Sequence, residues 1–175
     1  MRIVVTGGAG FLGSRVIRLL LARQDQSASP IPFDEIVSFD LVECPVEDSR
    51  VVSVVGDVAD PELISDVITQ DTVGAYHLAA VLSGGSEEDF DLAMRVNVDG
   101  TRSLLEATRA TGRRPRFVFT SSLAVFGGPM PEQVPEDLAT MPESTYGAVK
   151  AIGELLVNEY SRKGFVDGRV LRLPT

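Results

Sequence analysis

Residues 2–13 read Arg2-Ile3-Val4-Val5-Thr6-Gly7-Gly8-Ala9-Gly10-Phe11-Leu12-Gly13. A β-branched run is followed at once by a glycine loop, and the segment from Phe11 to Arg23 has amphipathic helical periodicity. Glycines 8, 10 and 13 match the dinucleotide-binding spacing, and glycines 7, 10 and 13 match its wider variant. Backbone without β-carbons lets pyrophosphate oxygens approach main-chain N–H groups at a helix N-terminus, where the dipole is positive. The placement between strand and helix makes the motif informative. It predicts that Gly7, Gly10, Phe11, Leu12 and Gly13 border a dinucleotide.

The rest of the chain repeats the alternation. Strands are predicted at Glu35–Phe39, Val51–Val55, Val73–Ala79, Arg116–Ser121 and Arg169–Leu173. Val51–Val55 is a valine-rich apolar run, fit for a strand buried on both faces. Gln24–Phe33 is polar and contains proline, hence a predicted surface loop. Pro61–Thr69 reads as a helix capped by Asp60, and Glu87–Thr111 as one long helix or a broken pair stopped by Gly112. Thr145–Lys163 reads as a helix capped by Ser144 or Thr145 and ended by Gly164. The expected fold is therefore α/β: a Rossmann-type doubly wound parallel sheet with helices on both faces, one dinucleotide-binding domain over residues 1–175. The chain stops at Pro174-Thr175, directly after a strand. We expect a fragment, or the ordered part of something longer, without a C-terminal substrate lobe.

Composition bounds the partners. The 175 residues, 44% of them hydrophobic, suffice for a sizeable core, and a net charge of −9 argues against nucleic acid and anionic membranes. An anionic ligand must therefore be held by local N–H groups and a few cations. Cys44 is the single cysteine, so no internal disulfide forms and a cytoplasmic protein is expected. No apolar run is long enough to span a bilayer. His77 is the only histidine and is read as a packed side chain. With no His/Cys cluster beside it, no metal site is predicted.

Asp40 ends the second strand, somewhat further beyond Gly13 than the usual spacing of about 20 residues. A carboxylate there accepts from ribose hydroxyls and repels a 2′-phosphate, which selects NAD over NADP. Asp57 and Val58 follow the third strand, where Asp57 can accept from the adenine amino group and Val58 can pack on the ring, or Asp57 can simply make a turn. Tyr146 and Lys150 lie one helical turn apart, and Ser121-Ser122 close a strand at the carboxyl edge. These are the parts for oxidising an alcohol: Tyr146 as base, Lys150 as its cationic partner and Ser122 to orient the substrate. The Lys150 ammonium, with an oxidised nicotinamide, is expected to depress the phenol pKa, and a shift of ~3 units requires ~4 kcal/mol. Ser83-Gly84-Gly85-Ser86 reads as a polar loop whose Ser83 could meet a substrate carboxylate, or as a plain turn.

The motifs together resemble the extended short-chain dehydrogenase/reductases of the NAD-dependent epimerase/dehydratase group. The matching stretches are Thr6–Gly13, Asp40, Gly56-Asp57-Val58, His77-Leu78-Ala79-Ala80, Asn97–Thr101, Thr120-Ser121-Ser122 through Val125-Phe126-Gly127, and Tyr146–Lys150, in family order. The resemblance implies that Ala79 and Ala80 line the cofactor cleft and that Asn97 stands in the long helix behind the site. It also implies a homodimer through the long helix near 98–110 and the Tyr146 helix. Stretches around His77–Gly85, Ser121–Pro129 and Gly153–Arg169 look most like the D-erythronate dehydrogenase branch, which implies NAD-dependent oxidation of a small sugar acid. Phe126 stands where nucleotide-sugar enzymes usually carry tyrosine, and Arg172-Leu173-Pro174-Thr175 replaces their Arg-hydrophobic-Phe-Asn. The alternatives are a nucleotide-sugar epimerase or dehydratase using transient NAD oxidation, and a non-catalytic dinucleotide-binding sensor or scaffold.

Overall fold

The computed structural model describes residues 1–26, 32–135 and 137–174. Six parallel strands form one sheet: β1 (Arg2–Thr6), β2 (Glu35–Asp40), β3 (Val51–Val55), β4 (Thr72–His77), β5 (Arg116–Ser122) and β6 (Asp167–Leu173). Their spatial order is β3-β2-β1-β4-β5-β6. The sheet therefore reverses direction between β1 and β4, the switch point where doubly wound sheets bind ligands. The β1–β2 register runs from Arg2 opposite Glu35 to Thr6 opposite Phe39, so Gly7 and Asp40 leave neighbouring strands at the same edge.

Each face of the sheet is covered, because side chains alternate along a strand. On one side Ile3, Val5 and Ile36 meet Ile17, Leu20 and Leu21 of α1 (Phe11–Asp25). On the other, Val4, Phe39, Ala75, Phe117 and Phe119 pack with Ile64 of α2 (Pro61–Val67), Leu104 and Leu105 of α5 (Thr101–Ala110) and Val157 of α6 (Thr145–Arg162). Asp60 caps α2 by accepting from the N–H groups of Glu62 and Leu63. Ser144, not Thr145, caps α6, its Oγ accepting from Gly147 N–H at 3.0 Å. Gly112 and Gly164 follow α5 and α6 with φ of 66° and 77°, which glycine adopts without steric cost.

Four predicted elements differ. β3 is the edge strand rather than a fully enclosed one, and Val52 and Val55 are exposed. The stretch from Glu87 breaks at Asp89. There α3 (Ser83–Glu88) gives way to α4 (Phe90–Ala93), which runs through a wider π-helical stretch, Met94–Gly100, into α5. Ser83-Gly84-Gly85-Ser86 is thus helical rather than an open loop, and Ser86 is buried with its Oγ donating to Val81 C=O. Of the predicted loop Gln24–Phe33, Gln24 and Asp25 belong to α1, Gln26 caps it, and residues 27–31 lie outside the described residues. Among the described residues no helix is long and apolar enough to cross a membrane.

α6 lies unusually close to β5, and two glycines permit it. A β-carbon on Gly153 would stand 2.5 Å from the Phe119 ring, and one on Gly147 would stand 2.1 Å from Ala124 O. Phe119 is fully buried and has no room to retreat. Gly153→Ala should destabilise the chain by up to about 2 kcal/mol, since an overpacking cost of about 1–3 kcal/mol outweighs the ~1 kcal/mol that alanine gains in a helix. Gly84→Ala, with nothing within 4 Å of the added carbon, should be neutral or stabilising by up to about 1 kcal/mol. Urea unfolding of both variants tests the contrast.

Candidate active site

The glycine loop is held by its own backbone. Gly7 N–H donates to Phe39 C=O at 2.9 Å, Gly10 N–H to Gly7 C=O at 3.1 Å, and Ser14 N–H to Gly10 C=O at 3.0 Å. Gly10 is the N-cap of α1, and no side chain caps that terminus. A β-carbon on Gly13 would sit 2.0 Å from Gly7 O, and one on Gly7 would sit 2.7 Å from Ala79 N. The loop is therefore pinned between α1 and the segment after β4, with N–H donors open to the cleft.

That cleft has a volume of about 560 Å³ and is bordered by Gly7, Gly10, Phe11, Leu12, Gly13, Asp40, Asp57, Val58, Ala79 and Ala80. Gly8 faces elsewhere: a β-carbon there would strike Ser38 Oγ at 2.2 Å. Ser38 Oγ is also the one buried side-chain polar atom without a partner among the described residues. Asp40 accepts Ala9 N–H at 2.9 Å on one oxygen and Leu41 N–H at 2.7 Å on the other. It orders the glycine loop as well as facing the cleft, a duty its position in the sequence did not reveal. Asp57 is engaged too, with Arg95 at 2.6 Å and Ala59 N–H at 2.9 Å. Desolvation is the largest single effect and opposes its ionisation, but the Arg95 bond, the Ala59 N–H bond and the Arg95 charge together prevail and hold its carboxyl below the usual range. Arg95 also borders the cleft, and no motif had singled it out. The donor loop, the small Ala79-Ala80 wall and the carboxylate opposite fit a dinucleotide.

A second cavity of about 290 Å³ is bordered by Ser83, Thr120, Ser121, Ser122, Tyr146 and Lys150. Leu12, Leu78, Ala80 and Leu82 line both hollows, so the two are contiguous. Asn97 does not border either one. It is buried in the π-helical stretch, where its amide donates to Val81 C=O and accepts Val81 N–H at 3.0 and 2.8 Å. It fixes the backbone at the rim. Ser122 Oγ accepts Ala124 N–H at 3.1 Å, leaving its proton free to donate into the cavity. Ser121 is turned away, donating to Glu154 at 2.5 Å. Glu87, exposed near the end of α3, accepts Thr145 N–H at 2.6 Å and ties α3 to the start of α6.

Lys150 by itself does not depress the Tyr146 pKa. Burial pushes the phenol up, because its ring is half-buried and the Lys150 ammonium stands 5.7 Å from the ring centroid. Burial likewise pushes Lys150 down to about 8. Lys150 Nζ donates to Thr120 C=O at 2.8 Å and lies 4.8 Å from the Phe119 ring centroid. Desolvation of both groups outweighs their attraction at this separation.

His77 is packed against Phe117 and Phe119 in a directed chain. Thr101 Oγ1 donates to Asn97 C=O at 2.6 Å, so it accepts from His77 Nε2–H at 2.8 Å. Nδ1 then accepts from Thr6 Oγ1 at 2.7 Å, and Thr6 in turn accepts Ala79 N–H at 3.3 Å. The imidazole must be neutral for this order to hold. Among the described residues no group of His, Cys, Asp and Glu is placed to hold a metal ion.

The profile of the NAD dependent epimerase/dehydratase family matches residues 3–175. D-erythronate dehydrogenase of Cupriavidus necator is 51% identical over 100% of this chain and 55% of its own length. The protein of the same name from Haemophilus influenzae is 44% identical, with the same coverage. A nucleoside-diphosphate-sugar epimerase structure from Agrobacterium tumefaciens superposes with a TM-score of 0.91 at 37% identity, over 100% of this chain and 53% of that one. The chain thus spans about half the length of the curated relatives it matches.

Burial and the Lys150 charge push the His77 pKa down to about 3, so in acid the unfolded chain binds more protons than the folded one. Its contribution is fully present above pH ~6.5 and is lost as pH falls toward ~3, with a slope approaching 1.4 kcal/mol per pH unit. Urea unfolding of His77→Gln beside the parent should show a shallower pH dependence in that window.

Proposed function

The chain belongs to the NAD dependent epimerase/dehydratase family, and from that premise we propose that it forms the cofactor-holding and proton-transferring part of an NAD-dependent dehydrogenase. Its substrate is a small polyhydroxy acid, D-erythronate being the one named for two curated relatives. The observation that carries this reading is the continuity of the glycine-loop cleft with the hollow of Ser122, Tyr146 and Lys150, through Leu12, Ala80 and Leu82. That continuity would let a bound nicotinamide face the carbinol carbon of a substrate while Tyr146 faces its hydroxyl. The smaller hollow, about 290 Å³, suits a small substrate. Phe126 carries the Arg172 guanidinium on its ring at 4.8 Å.

When bound, the nicotinamide ring accepts the hydride. This chain's residues do the rest. Phe11, Leu12 and Gly13 offer backbone N–H groups and the α1 dipole to the pyrophosphate, while Gly7 and Gly10, whose own N–H groups are bonded within the loop, leave room for it to approach. Asp40 keeps lone pairs for the ribose hydroxyls while it holds Ala9 and Leu41. Asp57, Val58, Ala79 and Ala80 border the rest of the cofactor, with Asn97 behind them. Ser122 donates its free proton to the substrate oxygen, Ser83 stands across the hollow, and Tyr146 takes the hydroxyl proton. Because burial raises the phenol, the ionised form depends on the Lys150 charge and on whatever cation is brought into the cleft. Lys150 is available to the nicotinamide ribose while Thr120 C=O fixes it.

A homodimer through the helix at 98–110 and α6 belongs to the same reading, supported by the exposed Leu155 on α6. So does a cytoplasmic setting, suited to the single Cys44.

The test is turnover by the full-length protein. Aldonates should drive net NADH formation, and nucleotide sugars should not. Sugar interconversion without net NADH would overturn the proposal. Tyr146→Phe should lower kcat by about 10²–10⁴-fold while NAD affinity stays within a few-fold. Asp40→Asn should narrow the preference for NAD over NADP by about tenfold or more, since the charge opposing a 2′-phosphate is gone.

A further inference from the structure

We propose that Glu154 is a positioning residue: it fastens the carboxyl end of β5 to α6 and so sets where Ser122 stands relative to Tyr146 and Lys150. The inference rests on the roles proposed above for those three side chains. Tyr146, Lys150 and Glu154 recur one helical turn apart and form a single stripe of α6. Consecutive residues of β5 receive that stripe. Thr120 C=O takes Lys150 Nζ at 2.8 Å, Ser121 Oγ donates to Glu154 Oε1 at 2.5 Å, and Ser122 borders the cavity beside both. Ser121 and Ser122 are buried on an extended backbone, so holding one holds the other.

The carboxylate is itself clamped. Its side chain is 6% exposed, and Arg172 of β6 donates to both oxygens, Nε at 2.9 Å and Nη2 at 2.7 Å. The Arg172 guanidinium in turn lies over the Phe126 ring just beyond β5. One carboxylate therefore joins α6, β5 and β6 at the edge that carries the cavity. Stability alone is a poor reason for such a group, because an apolar pair of similar volume is often as stable as a buried ion pair or more so. What the ion pair supplies is directional: three fixed hydrogen bonds define a position, as an apolar contact does not.

Ser121→Ala isolates the stitch and leaves the ion pair intact. In the full-length enzyme we expect a melting temperature and NAD Kd close to wild type, with kcat reduced about tenfold or more, the scale of a misplaced reacting group. Glu154→Gln should lower both stability and kcat, while Glu154→Gln with Arg172→Met should regain stability but not kcat. A kcat for Ser121→Ala within about twofold of wild type, an equal loss of NAD affinity, or recovery of kcat in the double variant would each overturn the proposal. A second readout needs no turnover: acetylation of Lys150, followed by mass spectrometry, should speed up about threefold or more in Ser121→Ala as the Thr120 anchor loosens. An unchanged rate would overturn it. A wild-type enzyme inert toward polyhydroxy acids would defeat the functional reading alone, and the acetylation rate would still decide this one.

Discussion

The structure depends on a backbone contact that only glycine allows. Gly13 stands against the carbonyl of Gly7, and Gly7, with φ of 70°, stands against the peptide joining Leu78 to Ala79. β-Carbons at these positions would overlap backbone atoms by an ångström or more of normal contact distance, and backbone cannot rotate away as a side chain can. α1 is thereby drawn onto the end of β1 at the point where the sheet changes direction. The donor groups of the loop, the carboxylate of Asp40 and the small wall at Ala79-Ala80 all inherit their places from that approach. The Thr6–His77–Thr101 chain reinforces it from beneath, since Thr6 precedes Gly7 and Ala79 N–H feeds the same chain.

The reacting side chains are governed by desolvation rather than by mutual attraction. Lys150 is buried and bonded to a neutral carbonyl, so its charge is costly and its pKa falls to about 8. Tyr146 is half-buried and rises for the same reason. A pair arranged this way is not a preformed phenolate. A positive charge entering the cleft would favour the ionised phenol, and for the base proposed above that would tie proton transfer to the presence of a hydride acceptor.

The legible parts of the sequence were those with local causes. Gly7–Gly13, the Asp60 and Ser144 caps, and the stops at Gly112 and Gly164 each act within a few residues, and a strand order of this kind follows from strict alternation with right-handed crossovers. The misread parts depend on remote neighbours. Val51–Val55 has the composition of an enclosed strand, but which strand ends the sheet is a topological fact that no window of five residues contains. Ser83-Gly84-Gly85-Ser86 has poor helix propensity, yet Glu87 is held by Thr145 N–H and Ser86 by Val81 C=O. Asp40 suggested a ligand partner and gave no sign that it also orders Ala9. The opposing effect of burial on Tyr146 was not legible, because charge is written in the sequence and burial is not.

Glu154 is the strongest case of this kind. An acidic residue in the middle of an amphipathic helix ordinarily reads as part of the solvated face. The one local hint is its spacing from Tyr146 and Lys150, which puts it on the stripe facing β5. Its partners come from two other strands, Ser121 and Arg172, and the second is reached only after the chain has crossed back under α6. Strands β5 and β6 run parallel in register from Arg116 opposite Asp167 to Ser122 opposite Leu173, which carries Arg172 alongside Ser121. The ion pair at that edge can form only once the chain has passed through α6 and β6 is paired with β5. Seating β6 and fixing the edge that carries Ser122 are therefore linked, and a chain that fails to seat β6 would leave the neighbourhood of Ser122 unfixed.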